Sequence, residues 1–167
     1  GIRDKLVTGV QTCALPILNI GCVRMTERHF KNDPPTKSEI ENARIDINAA
    51  IDSAAREVPI TKATSLIAVA GTATTVAAAA LDLSEYDRYA IHLSRVSSEK
   101  VHEISEKFLT LNREERLGLG YMHPGRADVI AAGSLVLSEI LKATHVSEFI
   151  ASESDILDGM AYTLASN

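Results

Sequence analysis

Leu66–Leu81, LIAVAGTATTVAAAAL, sets a glycine and three threonines between a short apolar run and an alanine-rich stretch. The apolar run predicts a strand over Ser65–Ala70, Gly71 predicts a tight loop, and Ala73–Leu81 predicts a helix. A helix start presents unpaired backbone N–H groups and the positive end of the helix dipole, and a glycine admits close approach of an anion. Gly71 and the hydroxyls that follow it therefore suit a phosphate. Read alone, the same residues also make an ordinary strand-to-helix turn with Thr72 or Thr74 as N-cap.

Other reactive side chains read first as structure. Cys22 has no histidine near it in sequence, so a small apolar strand residue is the plainer reading than a nucleophile. His123-Pro124-Gly125-Arg126 is a turn leading into a helix, with His123 or Arg126 at a cleft mouth as the functional alternative. Ser152-Glu153-Ser154-Asp155 brings together two carboxylates, the oxygen donors that magnesium prefers, yet capping of the last helix accounts for Ser154, Asp155 and Asp158. His29, His92, His102 and His145 are scattered without metal-ligand spacing and read as surface or cap residues.

Periodicity predicts the elements that position these groups. LNIGCVRMTE at Leu18–Glu27 alternates as a strand would, and Asn32-Asp33-Pro34-Pro35 stops it. Thr36-Lys37-Ser38-Glu39 is a capping box, after which Ile40, Ala43, Ile47, Ala50 or Ile51, and Ala54 recur at helical spacing until near Pro59. Ser65–Ala70, apolar on both faces, suits a central strand covered on each side. A short strand around Ala90–Leu93 follows, then a helix capped by Ser97 or Ser98 with Val101, Ile104 and Phe108 on its apolar face, and a shorter one opened by Asn112. The longest apolar helix spans about Arg126 to Thr144, ahead of a strand over Glu148–Ser152 and a last helix from Asp155. This order predicts an α/β fold with a mainly parallel sheet flanked by helices.

Composition narrows the function classes. The chain has 167 residues, 46% of them hydrophobic, enough to bury one core. Its net charge is −5 with scattered Lys and Arg, which argues against nucleic acid or an anionic membrane as partner and leaves small anions open. Two cysteines, Cys13 and Cys22, make no disulfide framework, no apolar run is long enough for a transmembrane helix, and a cytoplasmic location fits. Residues 1–17, GIRDKLVTGVQTCALPI, show no clean period, and VTGVQTCALPI resembles a translated sequencing-adapter remnant. That segment is expected to be non-native, with 18–167 forming the domain.

LNIGCVRMTER, VAGTATTVAAAAL, EYDRYAIHLSRVS, MHPGRADVIAAGSLVL and SESDILDGMAY, in this order, resemble the exopolyphosphatase and guanosine-pentaphosphate phosphohydrolase (Ppx/GppA) family across Leu18–Ser166. The resemblance implies a ribonuclease-H-like lobe of the actin-like ATPase superfamily, the second of two lobes that enclose an active-site cleft. It implies that Gly71, Thr72 and Thr74, with the N–H of Ala73, form a phosphate loop. Arg24 then either faces a substrate phosphate, which a planar guanidinium grips bidentately, or pairs with Glu27 or a neighbouring strand. The implied reaction is hydrolysis of terminal phosphoanhydride bonds in polyphosphate or guanosine pentaphosphate, with Mg2+ bridging the phosphates.

The family's acidic, glycine-rich loop of the type DIGGGSTE and the lobe that carries its catalytic glutamate have no counterpart in the sequence. The expectation is a C-terminal lobe lacking its first two strands, with no catalytic residue of its own and inactive alone. An N-terminal lobe is its expected partner, and a homodimer is an arrangement open to the full-length protein. Leu18–Glu27 would then be a strand without neighbours, its free backbone groups prone to stick. Two other classes use the same residues. An actin-like nucleotide-binding protein or small-molecule kinase would carry an adenosine pocket beside Gly71 and Thr72. In a non-catalytic interaction module those two residues would matter for stability only.

Overall fold

A computed structural model describes residues 18–165; residues 1–17, the segment expected to be non-native, lie outside the described residues. Three strands form one sheet in the order β1-β3-β2. β1 (Leu66–Val69) and β3 (Glu148–Ser152) run parallel, with Leu66 opposite Phe149 and Val69 opposite Ser152. β2 (Arg95–Ser97) runs antiparallel to β3, so the expected parallel arrangement holds for β1 and β3 and not for β2. The central strand is β3. β1 lies at the sheet edge, Leu66 and Ala68 packed on the core while Ile67 and Val69 are 64% and 51% exposed. An all-apolar strand suggests cover on both faces; among the described residues only one face of β1 is covered.

Leu18–Glu27 is not a strand. Its second half is helical, α1 (Cys22–His29), and Ile20 and Met25 are buried with residues of α2 (Lys37–Ala55) and α7 (Ile130–Thr144). Alternation over so few residues does not separate strand from helix, and the tertiary contact of Met25 decides. α2 starts as expected: the Thr36 hydroxyl accepts from the Glu39 N–H at 3.3 Å, and the Glu39 carboxylate accepts from the Thr36 N–H at 2.7 Å. The backbone N–H groups of Thr36 and Lys31 hold the Glu39 carboxyl down at about 2.

The strand expected around Ala90–Leu93 is a helical turn, α4 (Arg88–Ile91), because the Asp87 carboxylate caps the N–H groups of Tyr89 and Ala90 at 2.8 and 3.2 Å. Leu93 then takes a left-handed backbone, φ 62°, and turns the chain into β2. α5 (Ser98–Thr110) is capped by Ser97, and α6 (Arg113–Leu117) opens with an Asn112–Glu115 capping box. The expected long helix from Arg126 instead begins at Ile130, after a 3-10 turn at Pro124–Arg126. α8 (Ile156–Ala165) follows β3.

The core is two apolar clusters that meet on α7. On one side Ile130, Leu137 and Leu141 pack with Val76 and Ala77 of α3 (Ala70–Ala80), Val101 and Phe108 of α5, and Phe149. On the other, Ala131, Ala132 and Leu135 pack with Met25, Ile47 and Ile51. Gly133 lets α3 close on α7: a Cβ there would lie 2.7 Å from the Thr72 Oγ1.

The capping box makes acid stability titratable. Since the folded state holds Glu39 at about 2 against an ordinary 4.5, its stabilisation is complete above pH 4.5 and is lost as pH falls through that interval. Glu39→Gln keeps the shape without the titration, so urea midpoints measured from about pH 5 to about pH 2.5 should fall less steeply in the variant than in the parent.

Candidate functional site

β1 runs into α3 with no loop between them. Val69 is extended, φ −117° and ψ 168°, and Ala70 is left-handed, φ 70°, so a single residue turns the strand into the helix. α3 begins at Ala70, earlier than the expected Ala73, and Gly71 sits in its first turn. The N–H groups that an α-helix leaves open at its start are then those of Ala70, Gly71 and Thr72; the N–H of Ala73, the next residue, is the first in register with the N-cap carbonyl of Val69. No side chain caps this end. The Thr75 hydroxyl donates back to the Gly71 carbonyl at 2.6 Å, with Thr74 at 3.5 Å from the same oxygen, rather than covering the open donors.

Gly71 is needed for a different reason than a loop would give. The left-handed residue is its neighbour Ala70; Gly71 itself makes room for Arg126. A Cβ on Gly71 would lie 2.1 Å from Arg126 Cζ and 2.2 Å from Nη2. Arg126 comes from the turn at Pro124–Arg126, shaped by the His123 ring, whose Nδ1 accepts from the Gly125 N–H at 3.1 Å. Nearby arginines are neutralised, Arg113 by Asp128 and Arg116 by Asp33, but among the described residues no carboxylate pairs with Arg126. A guanidinium thus faces the positive end of an uncapped helix, an electrostatically unfavourable pairing that an anion relieves.

Gly71, Thr74, Thr75, Tyr86, Gly120, Tyr121, Met122, His123 and Arg126 enclose a cleft of about 400 Å3. Its far wall is apolar, from the Tyr86 ring, Tyr121 and Met122. Gly120 lets the two wall segments touch, since a Cβ there would meet the Ser84 carbonyl oxygen at 1.9 Å. The Tyr86 hydroxyl donates to Glu153. Burial, then the bond to Glu153, push the phenol above its ordinary value, against the pull of the Thr74 hydroxyl and the Arg126 guanidinium.

Of the residues singled out from sequence, Gly71 and Thr74 line this cleft. Thr72 turns its side chain the other way, onto Gly133, into a separate cavity of about 220 Å3 shared with Gly21 and Cys22; only its N–H stays at the helix end. Ala73 is buried in the core. Arg24 is exposed on α1, away from the cleft lining, and makes no ion pair with Glu27 or any other described residue. The cleft residues outside the sequence-derived phosphate set are Arg126 and His123, weighed there as a structural turn, and Tyr86.

The cleft does not fit a magnesium ion held by protein ligands. Its lining has no carboxylate, and among the described residues no group of three His, Cys, Asp or Glu side chains is placed to hold a metal. Asp155 and Asp158 accept from the N–H groups of Leu157 and Asp155, both at 2.8 Å, as expected of caps for α8. No described helix is long and apolar enough to cross a membrane.

The fold is that of the actin-like ATPase class, a small mixed sheet flanked by helices. The chain belongs to the Ppx/GppA phosphatase family, whose sequence model matches residues 6–167. It is 41% identical over 151 residues to Exopolyphosphatase 2 of Mycobacterium tuberculosis, a match over 88% of this chain and 47% of that protein. It is 37% identical over 145 residues to a bifunctional 3-dehydroquinate synthase/phosphatase of Fusobacterium nucleatum, covering 85% of this chain and 21% of the other. The crystal structure of an exopolyphosphatase-like protein superposes with a TM-score of 0.84 at 40% identity, over 89% of this chain and 49% of that one. The Aquifex aeolicus Ppx/GppA enzyme gives 0.78 at 25% identity, over 87% and 48%. The chain spans about half the length of the mycobacterial relative.

The left-handed junction predicts a selective response at residue 70. Ala70→Gly should be tolerated, whereas Ala70→Val, with a β-branched side chain in the same backbone, should lose roughly 2 kcal/mol in urea unfolding.

Proposed function

We propose that the chain is the phosphate-holding lobe of a phosphohydrolase that removes terminal phosphate from inorganic polyphosphate. The observation that carries this is Arg126, without a carboxylate partner, lying on Gly71 at the uncapped start of α3. A guanidinium grips two phosphate oxygens at once, and the N–H groups of Ala70, Gly71 and Thr72 donate to others. Thr74 adds a hydroxyl at the same end of the cleft. The carboxylate that orients the attacking water is assigned to a second lobe, because the cleft lining offers none. By itself the chain should bind oligophosphate and release none of it.

A second substrate fits the same cleft. Guanosine pentaphosphate ends in the same phosphoanhydride, and the apolar wall of Tyr86, Tyr121 and Met122 leaves room for a planar group beyond the phosphates.

Calorimetric titration of the chain with tripolyphosphate tests the cradle. In Gly71→Ala the new Cβ displaces Arg126, and affinity should fall roughly tenfold, the loss of one charge-assisted contact. Thermal stability should hold or rise, alanine being the better helix former by roughly 1 kcal/mol. Unchanged affinity in the variant, or phosphate release well above the uncatalysed rate by the chain alone, would contradict the assignment.

A further inference from the structure

We propose that Glu153 limits the affinity of the cleft for phosphate, as a fixed negative charge held behind Tyr86 that opposes Arg126 and keeps the bound anion exchangeable. The proposal rests on the reading of the cleft as a phosphate site.

Three features place this charge. The β1–β3 register sets Ser152 opposite Val69, so Glu153 leaves the sheet beside Ala70, where α3 begins. Its main chain is fixed there by His92, whose Nδ1 accepts from the Glu153 N–H at 3.2 Å. Its side chain accepts from the hydroxyl of Tyr86, a lining residue of the cleft, so the carboxylate lies one phenol away from the space that Arg126 faces. No lysine or arginine neutralises it: the described carboxylates with cationic partners are Asp33, Asp46, Glu103, Glu106, Asp128, Glu139 and Glu148. Arg126 and His123 line the cleft in front of Tyr86, His92 holds the Glu153 main chain, Tyr86 bonds its carboxylate, and Asp155 follows two residues on. A carboxylate so placed repels a polyanion, and the phenol, with its one proton given to Glu153, does not screen it fully.

The bland alternative is that Glu153 only tethers Tyr86. Glu153→Gln separates the two, because its amide oxygen still accepts from the phenol while the charge is gone. In calorimetric titration with tripolyphosphate at low salt, this variant should bind roughly fivefold more tightly than the parent chain. The gain should fade near 1 M salt, where exposed charges are screened, which a change in tethering would not do. Tyr86→Phe leaves the carboxylate without its partner and should weaken binding, so the proposal can be tested even if Glu153→Gln folds poorly. Equal or weaker binding by a folded Glu153→Gln overturns the counter-charge; if Arg126→Ala still weakens binding, the phosphate site stands without it. If Arg126→Ala also changes nothing, or if the parent chain binds no tripolyphosphate, the site itself is overturned and the proposal with it.

Discussion

Burial of α7 on nearly every side is the constraint on which the remaining structure depends. Eleven of its fifteen residues are buried, so α7 cannot keep a polar face toward water, and each polar side chain on it must find a partner. Ser134 donates to the Ala131 carbonyl at 3.0 Å, and Thr144 to that of Ile140 at 2.9 Å. Ser138 meets the His102 ring at 2.7 Å, and Glu139 accepts from Asn48 at 3.2 Å and from Lys142 at 2.8 Å. These bonds tie α5 and α2 to α7 in one register. With α3 pressed against Gly133, Arg126 is held onto Gly71 by packing and by the backbone bonds of its turn, its N–H donating to the His123 carbonyl at 2.8 Å and its carbonyl accepting from the Val129 N–H at 3.0 Å.

The scaffold thereby tolerates two local costs at the same spot. Ala70 holds a left-handed backbone that an alanine adopts only when its surroundings insist, at roughly 1–2 kcal/mol. Arg126 stands at the wrong end of a helix dipole. Neither is repaired among the described residues: α3 takes no side-chain cap, and no carboxylate pairs with Arg126. Strain and unmatched charge thus coincide at one helix start, the coincidence on which the proposed phosphate reading rests.

What the sequence made legible was local. The Thr36–Glu39 and Asn112–Glu115 boxes and the Ser97 cap were visible because their bonds close within three residues. The family was legible too, since the order of five motifs survives whatever the chain does between them. Leu18–Glu27 was misread because a few alternating residues suit either element until Met25 finds its pocket. β1 was misplaced to the centre because an apolar strand does not say how much of it is covered. Gly71 was the right residue with an incomplete reason: the sequence shows its small size but not Arg126, fifty-five positions on, resting against it. Tyr86 and Glu153 were out of reach for the same cause, being joined by one hydrogen bond across sixty-seven positions of the chain.

The one-residue junction at Ala70 also bears on time. Because strand, left-handed residue and helix are continuous with a packed core, the positions of the open N–H groups at the start of α3 are set by the fold, with no loop between β1 and α3 left to order. On the proposed reading, capture of an anion is then governed by how it reaches the cleft. A chain of net charge −5 repels a polyanion at long range when salt is dilute, and at cellular ionic strength that repulsion shrinks to within about 8 Å, leaving the local field of Arg126 to steer the final approach.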